Sequence, residues 1–284
     1  EIKECDWSSD VCSSDLLDFR QLDQLAARDT RIHRLDARAK VLVVLVFIVT
    51  VVSFGRYELS AMVPFFLFPV AVVVLADLPA GFIARKVALV IPFAAAIGIF
   101  NPLFDREIQL YLGPFAVSGG WLSCASIVLR AMLTVTAAVI LVAVTGFTAV
   151  CEALERLGMP HPLAVQLLFM HRYLFVLADA AARASRAREL RACGTRGMGM
   201  GPFASMAGHL LLKSWERAER IHMAMLARGF QGTFHLQRGS GFGLPELSFL
   251  VSWTALFMIL RFTNIPLSIG HAVTAFFNAG RLMP

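Results

Sequence analysis

The chain has 284 residues, of which 57% are hydrophobic and 16% charged, with a net charge of +6. Its mean hydropathy is +0.68. An ordinary soluble domain carries about 25% charged residues, so this composition excludes one and indicates an integral membrane protein. The positive charge is not arranged as a basic stripe interleaved with aromatics, so nucleic acid is excluded as a partner and the charge reads as membrane topology.

The first residues, 1–16, contain "ECDWSSDVCSSDL", a polar leader without the apolar core of a signal peptide. It is expected to be non-native and is kept out of the fold argument. A hydrocarbon core of about 30 Å needs about 20 helical residues, and apolar runs of that kind occur at 37–54, 58–76, 84–104, 122–147 and 246–271. The expected fold is therefore all-α: a polytopic membrane protein of about five transmembrane helices with amphipathic cytoplasmic helices. Residues 17–147 would hold a cytosolic N-terminus and four spans, 148–245 the cytoplasmic helical region, and 246–284 the last span and C-terminus.

Orientation follows from Lys and Arg. Arg28, Arg31, Arg34, Arg38 and Lys40 precede the first span, Arg85 and Lys86 stand between the second and third, and a dense series from Arg156 to Arg238 separates the fourth from the fifth. The loops between hold little beyond Arg56 and Arg106. The positive-inside rule then puts the N-terminus and 148–245 in the cytoplasm. Pro64, Pro69, Pro92 and Pro102 fall within spans, where neighbouring helices tolerate them as kinks. Arg130 lies within the fourth apolar stretch and is expected to snorkel to the outer interface or to pair inside the bundle.

Residues 161–182, "HPLAVQLLFMHRYLFVLADAAA", are apolar enough to imitate a sixth span. A central Arg172 would cost roughly 2.5–3.5 kcal/mol to insert. The run is therefore read as a helix at the inner membrane face, five spans being preferred to six.

The cytoplasmic segment opens on "FTAVCEALERLGMPHPL", a short amphipathic helix stopped at Gly158 and Pro160. The long helix through Arg172 and Tyr173 ends in the Arg-rich "RASRARELRACG", and Gly residues from 194 to 208 with Pro202 suggest a flexible joint. The next helix is expected from about Ser205 to Arg228. Leu212, Trp215, Ala218, His222 and Met225 form one stripe, and Glu216 and Arg220 an i,i+4 pair. Gly229 terminates it. Arg228 in the last turn would offset the helix dipole; equally, an Arg flanked by Ala and Gly can enter a groove on another protein and pair bidentately with a carboxylate.

The five Cys show no CxxC spacing. The His residues at 33, 161, 171, 209, 222, 235 and 271 form no HExxH or i,i+4 pair, so no metal site is expected in this chain. No GxxxxGK[ST] occurs, and the spans lack the convergent polar groups of an intramembrane enzyme or the mid-depth ionisable path of a self-contained permease.

Five segments together, "HRLDARAKVLVVLVFIVTVVSF", "PFAAAIGIFNPLFD", "LRAMLTVTAAVILVAVTGF", "HRYLFVLADAAARASRARELRACG" and "ERAERIHMAMLARGFQG", resemble the transmembrane T component of energy-coupling-factor transporters. The likeness is to the CbiQ branch, which serves cobalt and nickel uptake. It implies a non-catalytic scaffold without cofactor, joining two ABC ATPase subunits to a CbiM-like substrate-binding membrane S component in the bacterial inner membrane. It also implies ATPase coupling through the helix tips. The second tip is intact as Ala227, Arg228 and Gly229, whereas the first departs from the pattern and leaves Arg188 or Arg191 to make the contact. A T component shared among vitamin-binding partners is the alternative.

Overall fold

The computed structural model describes residues 25–26, 30, 32–55, 58–100, 108–112, 115–191, 200–230 and 243–262. The leader, Pro102, Arg196 and the ends of the third and fifth expected spans lie outside the described residues. So do Arg106, Arg238, His235 and His271. The element order is α1 (Ala37–Val52), α2 (Leu59–Leu75), α3 (Ala80–Gly98), β1 (Ile108–Leu112), β2 (Phe115–Ser118), α4 (Gly119–Thr145), α5 (Phe147–Arg156), α6 (His161–Arg191), α7 (Met200–Ala227) and α8 (Leu244–Phe262). Helices dominate as expected, and an antiparallel β1–β2 hairpin is the one addition among the described residues. The chain divides into two units, one holding α1–α4 and α8 and the other α5–α7.

In the first unit the starts of α1 and α8 have a local cause. Asp36 caps α1, its Oδ1 accepting from the Arg38 amide at 3.0 Å. Lys40 is buried and turns back to donate to the His33 carbonyl at 3.1 Å. Glu246 does the reciprocal job on α8, accepting from the Gly243 amide at 2.9 Å, which satisfies a carboxylate that is otherwise buried. Pro64 sits in a 3-10 turn, Val63–Phe66, that interrupts α2, and Pro69 follows in the first turn of Leu67–Leu75. Both occupy turns where the missing N–H is least needed. Pro92 alone lies within a helix interior among the described spans.

The core of this unit is aromatic. Phe47 of α1 is fully buried, with ring centroids of Phe68 at 4.7 Å, Phe257 at 5.3 Å and Phe65 at 6.0 Å. Phe68 meets Trp253 edge-on at 4.9 Å. α1 thereby joins α2 to α8, while α4 packs on α1, α2 and α3. The α3–α4 contact needs a small residue. A Cβ on Gly98 would stand 2.8 Å from Cys124 Sγ and 3.4 Å from Cys124 Cα. Close backbone approach of this kind is how helices associate in lipid. Gly98→Ala is expected to destabilise the protein by roughly 1–3 kcal/mol, as overpacking does. Cys124→Ala added to it should recover much of the loss, because Sγ is the nearest obstacle. Thermal unfolding in detergent checks this, and an unchanged melting temperature in Gly98→Ala would refute it.

Two arginines close the far end of α1. Arg130 Nη2 donates to the Phe54 carbonyl at 2.9 Å, so it pairs inside the bundle, one of its two expected fates. Arg261, at the end of α8, donates to the Ser53 carbonyl at 3.0 Å, approaches Glu58 at 3.7 Å and lies 4.1 Å above the Phe54 ring. The last carbonyls of a helix have no intrahelical donors, and in an apolar medium they must be satisfied by side chains.

Outside the core, large apolar side chains face outward: Val74, Leu89 and Phe93 are each more than 70% exposed. A surface of that kind belongs in lipid. By length and composition four described helices could cross a membrane: Ala80–Gly98, Gly119–Thr145, His161–Arg188 and Leu244–Phe262. α1 and α2 are apolar but shorter, α1 having 16 residues. The third of the four is the 161–191 helix, which carries exposed Arg172 and Asp179 and belongs to the other unit.

Candidate functional site

The second unit is built from α5, α6 and α7. α5 ends at the predicted stop, where Gly158 adopts φ of +117°, its amide bonds Glu155 and the Met159 amide bonds Leu154. This 6→1 and 5→2 pair of bonds is the Schellman closure, which favours Gly at the left-handed position. Glu155 then pairs with His161 at the start of α6, and Glu152 with Arg156. α5 packs on α6 through Phe147, which stacks on His171 at 4.7 Å, while His171 meets Phe175 edge-on at 5.2 Å. His171 is thus an aromatic packing residue. Cys151 of α5 is buried, and burial pushes its thiol up.

α7 begins at Met200, five residues before the expected Ser205. Pro202 does not prevent this, because it falls in the first turn, where amides have no intrahelical acceptor. The face that packs within the unit is not the stripe of Leu212 and Trp215. Its half-buried positions are Met206, Leu210, Ser214, Arg217, Ile221 and Met225, spaced by three and four. Leu212 and Trp215 are 66% and 69% exposed and, with Met223 and Leu226, form an apolar stripe on the opposite side. The Glu216–Arg220 ion pair is replaced by a bond from Arg220 Nε to the Glu216 backbone oxygen at 3.3 Å.

The expected tip residues fall in two places. At the end of α7 the Gly229 amide bonds Leu226 and the Phe230 amide bonds Met225, each at 3.0 Å, with Gly229 at φ of +78°. This is a second Schellman closure. Ala227 is the last helical residue, Arg228 is the cap, and both are exposed. No atom lies within 4 Å of a Cβ placed on Gly229, so only its backbone angle demands glycine. Gly229→Ala is expected to loosen the cap by roughly 1–2 kcal/mol. Hydrogen exchange at the Gly229 and Phe230 amides should quicken roughly five- to thirty-fold. Unaltered exchange would contradict it.

At the other place, Arg188 and Arg191 in the last turn of α6 line an open cleft of about 360 Å³ with Ser205 and His209 of α7, over Ala184 and Ala187. Arg188 is half-buried and Arg191 exposed. Ser205 and His209 joined no motif in the sequence, since residues 192–199 separate them from Arg191. From His209 to Arg228 the helix rises about 29 Å, so the two arginine groups mark opposite ends of α7. Among the described residues no group of three or more His, Cys, Asp or Glu is placed to hold a metal ion.

These features define a polytopic α-helical membrane protein with a separate unit of amphipathic helices tipped by arginine. The family model described as cobalt transport protein, CbiQ, matches residues 28–238, and the chain belongs to that family. It is 29% identical over 161 residues to the cobalt transport protein CbiQ of Salmonella typhimurium, covering 52% of this chain and 71% of the relative. It is 26% identical over 228 residues to the energy-coupling factor transporter transmembrane protein EcfT of Heliobacterium modesticaldum, covering 74% and 84%. An uncharacterised protein of Methanocaldococcus jannaschii is 22% identical over 231 residues, covering 78% of each chain.

Proposed function

We propose that the chain is the scaffold of an energy-coupling-factor importer for cobalt or nickel, without catalytic activity of its own. Two ABC ATPase subunits would supply the work, and a CbiM-like membrane S component would hold the ion. In this reading the protein lies in the bacterial inner membrane with its N-terminus and α5–α7 on the cytoplasmic side, and α6 rests at the membrane face. Arg228 docks in a groove on one ATPase, and the Arg188–Arg191 tip docks in the groove of the other. The observation that carries the reading is the form of the α7 tip. Arg228 stands exposed on a helix end closed by Gly229, with small residues on both sides, so its guanidinium can reach a carboxylate without steric obstruction.

The separation supports it too. Arg228 lies about 29 Å along α7 from His209, beside which the Arg188–Arg191 tip of α6 stands, so the unit can touch two partners and convert their relative movement into rotation or translation. The outward stripe of Leu212, Trp215, Met223 and Leu226 gives that movement an apolar surface through which to act on the S component. Cobalt uptake into proteoliposomes tests the assignment. Uptake is expected only when this chain, both ATPases, the S component and ATP are all present, and uptake by this chain alone would refute it.

A further inference from the structure

We propose that the cleft between the last turns of α6 and the N-terminal third of α7 is a binding site for a phosphate group. Its volume of about 360 Å³ falls within the range of small-ligand sites, roughly 300–1,000 Å³. Two arginines, a histidine and a serine line it, and no carboxylate is among the described side chains of its lining. Two like charges lining one cleft disfavour each other, and an anion between them relieves that cost.

Arg188 supplies the more specific sign. Its Nη1 is shielded from solvent and makes no hydrogen bond among the described residues. A shielded donor without an acceptor is destabilising, and guanidinium donors are the ones most strengthened by an anionic acceptor. The geometry favours phosphate over carboxylate. A carboxylate offers two oxygens in one plane, whereas a phosphate offers three or four arranged tetrahedrally, enough to meet Arg188, Arg191, Ser205 and His209 from different sides.

A phospholipid headgroup and free phosphate share this chemistry. The inference does not require the ATPase reading, because every described residue of the lining belongs to this chain. Both arginines of the first tip line the cleft, Arg188 half-buried and Arg191 exposed, so a phosphate and an ATPase groove would compete for Arg191.

The test is calorimetric titration of the purified full chain in neutral detergent with inorganic phosphate, at ionic strength held constant with chloride. Saturable one-site binding is expected, weakened roughly ten-fold or more in Arg188→Gln and in Arg191→Gln. Ser205→Ala and His209→Gln, at exposed positions, should weaken it several-fold and carry the test if the arginine variants do not fold. The same titration in nanodiscs of phosphatidylcholine, with and without phosphatidylglycerol, separates the sources. Phosphate binding abolished by phosphatidylglycerol assigns the site to a headgroup, and binding unaffected by it assigns the site to free phosphate. No saturable binding, or binding unchanged in all four variants, would overturn the proposal. That failure, with association to the ATPases intact, would leave the docking reading standing.

Discussion

Arg228→Glu is expected to abolish association with the ATPase subunits and, with it, cobalt uptake, while leaving the chain folded. Two magnitudes separate these effects. Truncating one partner of a hydrogen-bonded charge pair at an interface costs about 2–5 kcal/mol, and reversing the charge adds repulsion, so binding should fall at least thirty-fold. Placing a negative charge at a helix C-terminus costs only about 0.3–1 kcal/mol for an exposed side chain, and Arg228 is exposed. The melting temperature of the isolated chain should therefore change little. Lys213→Glu, a reversal at an exposed position in the middle of the same helix, should leave association nearly as it was. Copurification with tagged ATPases measures both variants. If Arg228→Glu retained its partners, or if Lys213→Glu lost them equally, a general electrostatic attraction would replace the tip contact.

Phe47→Ala is the substitution expected to damage the fold most. Phe47 is fully buried, and three aromatic rings surround it at centroid distances of 4.7 to 6.0 Å. Buried Phe→Ala changes cost about 3–5 kcal/mol in soluble cores. In a bilayer the lipid tails are as apolar as the protein interior, so the loss is mainly that of packing, and about 3 kcal/mol is expected. α1 would lose its hold on α2 and α8 together. Thermal unfolding in detergent should show a large drop for Phe47→Ala and a smaller one for Phe47→Leu, which refills part of the space. Equal melting temperatures for wild type and Phe47→Ala would show that the aromatic cluster does not hold these helices.

The helices themselves were legible in the apolar runs, and their ends in particular residues. Asp36, Gly158 and Gly229 each mark a terminus by chemistry that acts within a few residues of sequence. Which face of α7 packs was not legible. Its most apolar stripe, with Leu212 and Trp215, points outward, and the half-buried face includes Ser214 and Arg217. Apolar periodicity locates an interface but does not say whether the same chain, a lipid or another subunit fills it. The early start of α7 was hidden by Gly201 and Pro202, residues that break helices in the interior and are harmless in a first turn.

Contacts distant in sequence were invisible for a different reason. Arg130 reaches Phe54, and Arg261 reaches Ser53, across 76 and 208 residues respectively. An arginine in an apolar run announces that it needs acceptors, but the acceptors are backbone carbonyls, which no residue type signals. The cleft at Arg188 is of the same kind. His209 and Ser205 gain meaning only when α6 and α7 are brought side by side.

The most direct measurement is photo-crosslinking from position 227 in the assembled transporter, with a photoreactive amino acid replacing the exposed Ala227 so that Arg228 itself is kept. Docking of this tip predicts a crosslink to an ATPase subunit. A complex that remains assembled and crosslinks at this position only to lipid or detergent would contradict it.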